Sequence, residues 1–155
     1  LLDMEIAVAV GMSLAGVLFI RRSIELTGVK VIAVDEHPHP MASELPPSVI
    51  VYDINGAMFF GSAQKALTVL SEIHEDISVV ILDMSAVTML DMTGMVAMES
   101  IVEDFKRRGI RLIINNLEAR MILKLRKVGV RKMKGIVEYC RTMDAAIESA
   151  KREDS

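Results

Sequence analysis

A buried strand followed by an amphipathic helix, within residues 79–105, most constrains what this chain can fold into. Four apolar residues, Val79-Val80-Ile81-Leu82, precede Asp83, and such a run is typical of a strand buried on both faces. Beyond the next turn, apolar residues recur at helical spacing, at Met95, Ile101, Val102 and Phe105. Basic residues 106–108 suit the end of that helix, and Gly109 suits a left-handed exit.

The polar cluster Asp91-Met92-Thr93-Gly94 lies between this strand and this helix. The simplest interpretation is a helix cap, because Asp or Thr commonly precedes a helix. A hydroxyl at a helix N-terminus is also a suitable phosphate acceptor, since the helix dipole and the free amides stabilise negative charge there. We therefore take residues 91–94 as the candidate regulatory loop. Asp83, Ser85 and Met89 are candidate parts of the same surface, because exposed methionines suit an adaptable interface.

The remaining pattern predicts further strands and helices around this unit. We expect strands at residues 29–34, 110–114 and 136–140 and helices at 61–74 and 116–128, and Thr142 should cap a last helix that ends near Lys151. Asn55-Gly56 between two apolar runs predicts a type I′ hairpin. Asn115 and Glu118 have the spacing of an N-terminal capping pair. Because strands joined through helices run parallel, we predict an α/β fold with a mixed sheet.

Composition excludes several classes of function. A net charge of −3 does not suggest a nucleic-acid-binding protein, and 52% hydrophobic residues with only 4% aromatics favour an aliphatic α/β core. Cys140 is the only cysteine and lies in an apolar run, so we expect an inert, half-buried thiol. His37 and His39 come directly after two carboxylates, those of Asp35 and Glu36, but no matching ligand set accompanies them. We expect neither a metal nor catalysis, and an enzyme that uses these three residues is a distant alternative.

The N-terminal segment has two interpretations. Residues 6–20 are almost unbroken in their apolar character and precede Arg21-Arg22. They form either a buried or oligomerising helix of a soluble domain or the end of a transmembrane helix, and the lack of a polar face favours the second. Arg21 and Arg22 would then mark the cytoplasmic side. We predict a membrane-helix remnant at 1–22, a linker with a short strand at 23–45 and a folded domain at 46–155.

A run of basic residues between 120 and 134 contains no acidic residue. It is either a solvated helix face or a surface attracted to anionic lipid headgroups or to acidic loops of a partner. The candidate interaction residues in this run are Arg120, Lys124 and Lys127.

The buried strand, Asp83-Met84-Ser85 and Asp91-Met92-Thr93-Gly94-Met95-Val96 together resemble the signature of STAS domains, which sulphate transporters share with anti-sigma-factor antagonists. The likeness extends over about residues 46–151, and the preceding hydrophobic helix resembles the junction after the last membrane helix of SulP-family anion permeases. The resemblance implies a mixed sheet with about four packed helices. In the antagonists the residue at the position of Thr93 is a phosphorylated serine. Regulatory contacts with the membrane domain or with other proteins, and nucleotide binding, are the usual proposals for the permeases.

The resemblance thus implies a non-catalytic STAS domain on the cytoplasmic face of the inner membrane. Its expected partners are the transmembrane domain of a sulphate-type anion transporter, other regulatory proteins and the inner leaflet, without nucleic acid. We expect no cofactor, and nucleotide is the one small ligand that the resemblance raises. The alternative is a free-standing antagonist that is switched by phosphorylation of Thr93.

Overall fold

The computed structural model describes residues 2–26, 28–32, 39–40, 44–58 and 68–152. In chain order, the elements are α1 (Leu2–Leu26), β1 (Gly28–Ile32), β2 (Val49–Met58), β3 (Val79–Asp83), β4 (Val87–Leu90), α2 (Met92–Arg108), β5 (Arg111–Asn115), α3 (Ala119–Lys127), β6 (Val137–Cys140) and α4 (Met143–Lys151). Residues 68–71 are also helical. His37 and the first turns of the helix predicted at 61–74 lie outside the described residues.

The strands form one mixed sheet in the order β1-β2-β3-β5-β6, and β4 pairs with the far end of β2. β2, β3, β5 and β6 are mutually parallel, whereas β1 runs antiparallel to β2. The parallel pairs confirm the expectation that strands joined through helices share one direction. Four residues near the carboxyl ends of the parallel strands lie side by side in the sheet: Asp53, Asp83, Asn115 and Cys140.

Helices cover the sheet on both faces. Residues 68–71, α2 and α3 pack on one face, where Phe105 is the largest of the side chains that are fully buried. α4 packs on the other face through Met143, Ala146, Ile147 and Ala150. This arrangement explains why β3 reads as an unbroken apolar run, since alternate side chains enter different layers and residues 79–82 are all buried.

Two predicted helix boundaries are confirmed at the level of individual hydrogen bonds. α2 ends in Lys106, Arg107 and Arg108, and Gly109 follows with φ 70° and donates its amide to the carbonyls of the last turn. Thr142 begins α4, and its hydroxyl accepts a hydrogen bond from the amide of Ala145.

The predicted hairpin at Asn55-Gly56 is wrong. β2 continues through both residues to Met58, and its antiparallel partner is β1, which pairs Gly28 with Asn55. A type I′ turn needs positive φ at both central residues, but of the two only Gly56 has it, with φ 80°. Gly56 instead lies where the pairing of β2 with β4 shifts register, which is the geometry of a bulge.

The predicted Asn115–Glu118 capping pair is also wrong. Asn115 is the last residue of β5 and is buried, because β5 is paired along its whole length with β3. Glu118 occupies the N-cap of α3 without a side-chain capping bond. Its carboxylate contacts Arg120 at 2.8 Å instead.

The predicted end of the helix at His74 is three residues too late, since the helical residues end at Ser71. Arg108 from α2 donates hydrogen bonds to the carbonyls of Ser71 and Ile73. This long-range contact satisfies carbonyl groups at the helix end. No local sequence pattern predicts it.

Candidate functional site

The candidate loop is a rigid helix start rather than a loose connection. Asp91 has extended backbone angles and caps α2, with its Oδ1 accepting a 2.8 Å hydrogen bond from the amide of Gly94. The carbonyl of Asp91 accepts the first helical hydrogen bond, from the amide of Met95 at 3.0 Å. Thr93 is therefore held in the first turn of α2, where it is partly exposed and next to the positive end of the helix dipole.

Met92 and Gly94 occupy opposite environments in the same turn. Met92 is 64% exposed, whereas Gly94 is buried against the sheet. The left-handed glycines of the described chain are Gly56, Gly109, Gly129 and Gly135. Gly94 is not among them and is an ordinary helical residue at a buried position.

Sequence reasoning missed β4, the four-residue strand that delivers the chain to this loop. Val87 and Leu90 of β4 are buried, while Thr88 and Met89 are exposed. Met89 is 51% exposed and comes two residues before the cap. The available signal for β4 was the β-branched pair Val87-Thr88 together with the apolar residue Leu90. A strand of four residues is too short to be recognised from the alternation of apolar and polar residues.

Asp83 and Ser85 form a tight turn at the carboxyl end of β3. The amide of Ser85 donates a 3.0 Å hydrogen bond to Asp83 Oδ1. Asn115 of the neighbouring strand brings its Nδ2 to 3.5 Å from the same oxygen. Asn115 is 2% exposed, and its Oδ1 has no hydrogen-bond donor within the described parts of the chain. Sequence reasoning assigned Asn115 to a helix cap and so missed its place beside Asp83.

The basic run divides between two places. Lys124 reaches the candidate loop, with its Nζ 3.4 Å from the carbonyl oxygen of Leu90, and Arg120 pairs with Glu118 at the start of α3. Lys127 lies elsewhere, in an open groove of about 640 Å³ that is lined by Leu123, Arg126, Lys127, Arg131 and Lys132. The structure therefore brings Lys124, but not Lys127, to the predicted loop.

The residues considered for metal binding or catalysis do not assemble into a site in the described ranges. Nε2 of His39 lies 3.2 Å from Oδ1 of Asp144 on α4. Within these ranges, no three histidine, cysteine, aspartate or glutamate side chains are grouped as metal ligands would be. Cys140 is half-buried, as predicted, and burial raises the pKa of its thiol, which favours the less nucleophilic protonated form.

The N-terminal helix α1 is separate from this core. Met4–Arg22 is long enough and apolar enough to cross a membrane, and none of it is buried against the rest of the protein. Its one hydroxyl in the apolar stretch, that of Ser13, donates a 2.8 Å hydrogen bond to the carbonyl of Ala9. This bond removes an unpaired donor from the apolar surface.

Comparison with known proteins identifies the family. The STAS domain family matches residues 40–146. YvdB of Bacillus subtilis (strain 168), a protein assigned as a sulfate transporter, is 33% identical over 132 residues, which is 84% of this chain. The alignment is longer than the STAS match, so it also includes residues outside that match. The chain spans about a quarter (24%) of the length of YvdB.

Two solved structures agree with this assignment. A sulfate transporter family protein from Wolinella succinogenes is 33% identical, with a TM-score of 0.61 over 69% of this chain and 88% of that one. The SulP transporter STAS domain from Vibrio cholerae is 29% identical, with a TM-score of 0.59 over 71% of this chain and 86% of that one. Solved anti-sigma factor antagonists, at 13–16% identity, share the fold alone. The chain therefore belongs to the STAS domain family, and its relatives are SulP-family sulfate transporters and their STAS domains.

Proposed function

We propose that this chain is the cytoplasmic STAS portion of a SulP-type inorganic anion transporter, joined to the end of the last membrane helix. In this role it supports assembly or regulation of the transport domain through protein contacts. It neither forms the anion pathway nor catalyses a reaction. The observation that carries the proposal is α1, whose apolar stretch Met4–Arg22 contains no buried residue and which precedes a STAS domain.

The sequence around α1 supports a cytoplasmic location for the domain. Arg21 and Arg22 follow the apolar stretch and lie near the C-terminal end of α1, the end that is joined to the STAS domain. Basic residues next to a membrane helix favour the cytoplasmic side.

The loop of residues 91–94 supplies the proposed contact and switch. Its hydroxyl, that of Thr93, is partly exposed, and its backbone is held by the Asp91 cap. A negative charge on residue 93 is compatible with the helix dipole, so it should change the surface without unfolding α2.

The test is Thr93→Glu in the parent transporter, with uptake of radiolabelled sulphate measured in membrane vesicles and the melting temperature measured on the isolated chain. We expect altered uptake and an almost unchanged melting temperature. Ala145→Glu is the matched control, because Ala145 is exposed in the first turn of α4 and the variant adds the same charge. An equal change in uptake from Ala145→Glu would refute a role for the loop.

A second candidate is a free-standing antagonist that is phosphorylated on Thr93. Its support is the hydroxyl of Thr93, a partly exposed residue behind the Asp91 cap, together with the fold shared with the antagonists. Mass spectrometry of the protein isolated from its own cells discriminates the two candidates. A phosphate on Thr93 in a protein without further membrane helices would favour the antagonist.

A further inference from the structure

We propose that the carboxyl edge of the sheet faces the membrane, and that Met89, Met92 and Val96 form the surface that packs on the cytoplasmic side of the parent's transport domain. We call these three residues the apolar corner. This inference rests on the proposed function, since it takes α1 to be the end of a membrane helix.

Strand register determines which edge of the sheet adjoins α1. The parallel strands β2, β3, β5 and β6 have their carboxyl ends at one edge, and β1, which is antiparallel, begins at that edge. Gly28 at the start of β1 pairs with Asn55 near the end of β2. Because α1 ends at Leu26, only one residue separates it from this edge.

The same edge carries the candidate loop. Beyond Asn55, β2 extends to Met58, which pairs with Leu90 at the end of β4. Asp91 and the start of α2 follow immediately. α1 thus leads into β1, and β4 leads into α2. Both strands pair with the carboxyl-terminal part of β2, so the end of α1 and the N-terminus of α2 lie at the same edge of the sheet.

Exposed apolar side chains are concentrated at this place. Outside α1, the large hydrophobic side chains that are exposed in the described chain are Met89 (51%), Met92 (64%), Val96 (48%) and Leu123 (59%). Met92 and Val96 are one helical turn apart and share a face of α2. Only Leu123 belongs elsewhere, to the basic groove.

The opposite edge of the sheet is charged. A cavity of about 320 Å³ at the starts of β5 and β6 is lined by Arg111, Lys132, Lys134, Glu138 and Arg152 among others. Such a surface is stable in water. Met89, Met92 and Val96 instead expose apolar area within eight residues of chain, at the end of β4 and the start of α2, and this suits an interface. The difference between the two edges agrees with the direction in which α1 enters.

The chemistry of the corner favours a protein partner over lipid headgroups. Binding to anionic headgroups requires available cations. The cation that the structure places beside the corner is Lys124, and its ammonium group is engaged by the carbonyl of Leu90. Methionine side chains adapt to an apolar protein surface without a fixed shape.

Photo-cross-linking in the full-length parent transporter tests the proposal. A photoreactive amino acid replaces Met92 in one variant and Lys134, an exposed residue near the charged edge, in the control. Cross-linked peptides are identified by mass spectrometry, and alkaline extraction of the membranes checks that α1 is integrated. We expect the Met92 variant to cross-link to peptides of the transport domain and the Lys134 variant not to do so.

Each other outcome identifies what has failed. Transport-domain peptides from the Lys134 variant, with or without such peptides from the Met92 variant, would overturn the orientation. A Met92 variant that cross-links only to lipid, or to nothing, would overturn the protein partner. Extraction of the protein at alkaline pH would overturn the proposed function and, with it, this inference. A Met89 variant provides a second position if substitution of Met92 prevents folding.

Discussion

At the residue scale, Asp91 caps α2 at the candidate loop, and the role that we propose for Thr93 depends on the backbone that this cap holds. The carboxylate of Asp91 satisfies the amide of Gly94, which would otherwise lack a partner in the first turn of α2. The loop can therefore present its exposed side chains from a fixed backbone.

We predict that Asp91→Ala lowers the free energy of unfolding by about 1 kcal/mol, because it removes the N-cap acceptor. Asp91→Asn is the control, since asparagine caps helices about as well as aspartate. The measurement is urea denaturation followed by circular dichroism. Equal stability of Asp91→Ala and the unaltered chain would show that the cap contributes nothing.

At the element scale, α4 is held to the sheet by a polar cluster as well as by its apolar face. Arg111 on β5 contacts Glu138 on β6 at 2.5 Å, and the hydroxyl of Ser149 on α4 donates to the same carboxylate at 2.6 Å. Arg111 also donates to the carbonyl of Ser149 at 2.9 Å. The Ser149 hydroxyl, followed by Arg111, holds the pKa of Glu138 below its ordinary value.

The lowered pKa of Glu138 predicts a dependence of stability on pH. A carboxyl whose folded pKa is depressed contributes stability above its unfolded pKa, and this contribution is lost as the pH falls through the folded pKa. Glu138→Gln should therefore lower the free energy of unfolding by about 1–3 kcal/mol at pH 7. The difference from the unaltered chain should shrink as the pH falls below 4.5, the ordinary pKa of a glutamate.

Urea denaturation at several pH values measures this difference. Asp76→Asn is the control, because Asp76 is an exposed carboxyl on the turn before β3. The assignment of the pH dependence to Glu138 would be contradicted by one result. In that result, the difference in free energy of unfolding between Glu138→Gln and the unaltered chain stays constant from pH 7 to roughly pH 3.

At the scale of the whole molecule, we expect α1 and the STAS domain to unfold as separate units. Removal of residues 1–22 should leave cooperative unfolding intact and raise solubility, because Met4–Arg22 buries nothing against the domain. Thermal unfolding followed by circular dichroism, with sedimentation to measure solubility, tests this prediction. Loss of the cooperative transition on truncation would place α1 in the core.

The sequence by itself determined the elements whose signals are local. The unbroken apolar run of β3, the basic end of α2 before Gly109 and the Thr142 cap each depend on neighbouring residues, and each was predicted correctly. The STAS resemblance rests on the same signals and was confirmed by the family match. Hydrophobic period and capping chemistry act within one or two turns of chain, so they can be read without a fold.

Only the tertiary structure decided the pairings between distant segments. Asn55-Gly56 reads as a turn, but β1 and β4 pair with β2 on either side of these residues and keep the strand continuous. Asn115 reads as a cap, but pairing with β3 keeps it in β5. The basic run reads as one patch, but the fold directs Lys124 to the candidate loop and Lys127 to a separate groove. These outcomes depend on contacts between residues far apart in the chain, whose combined energy outweighs local preference.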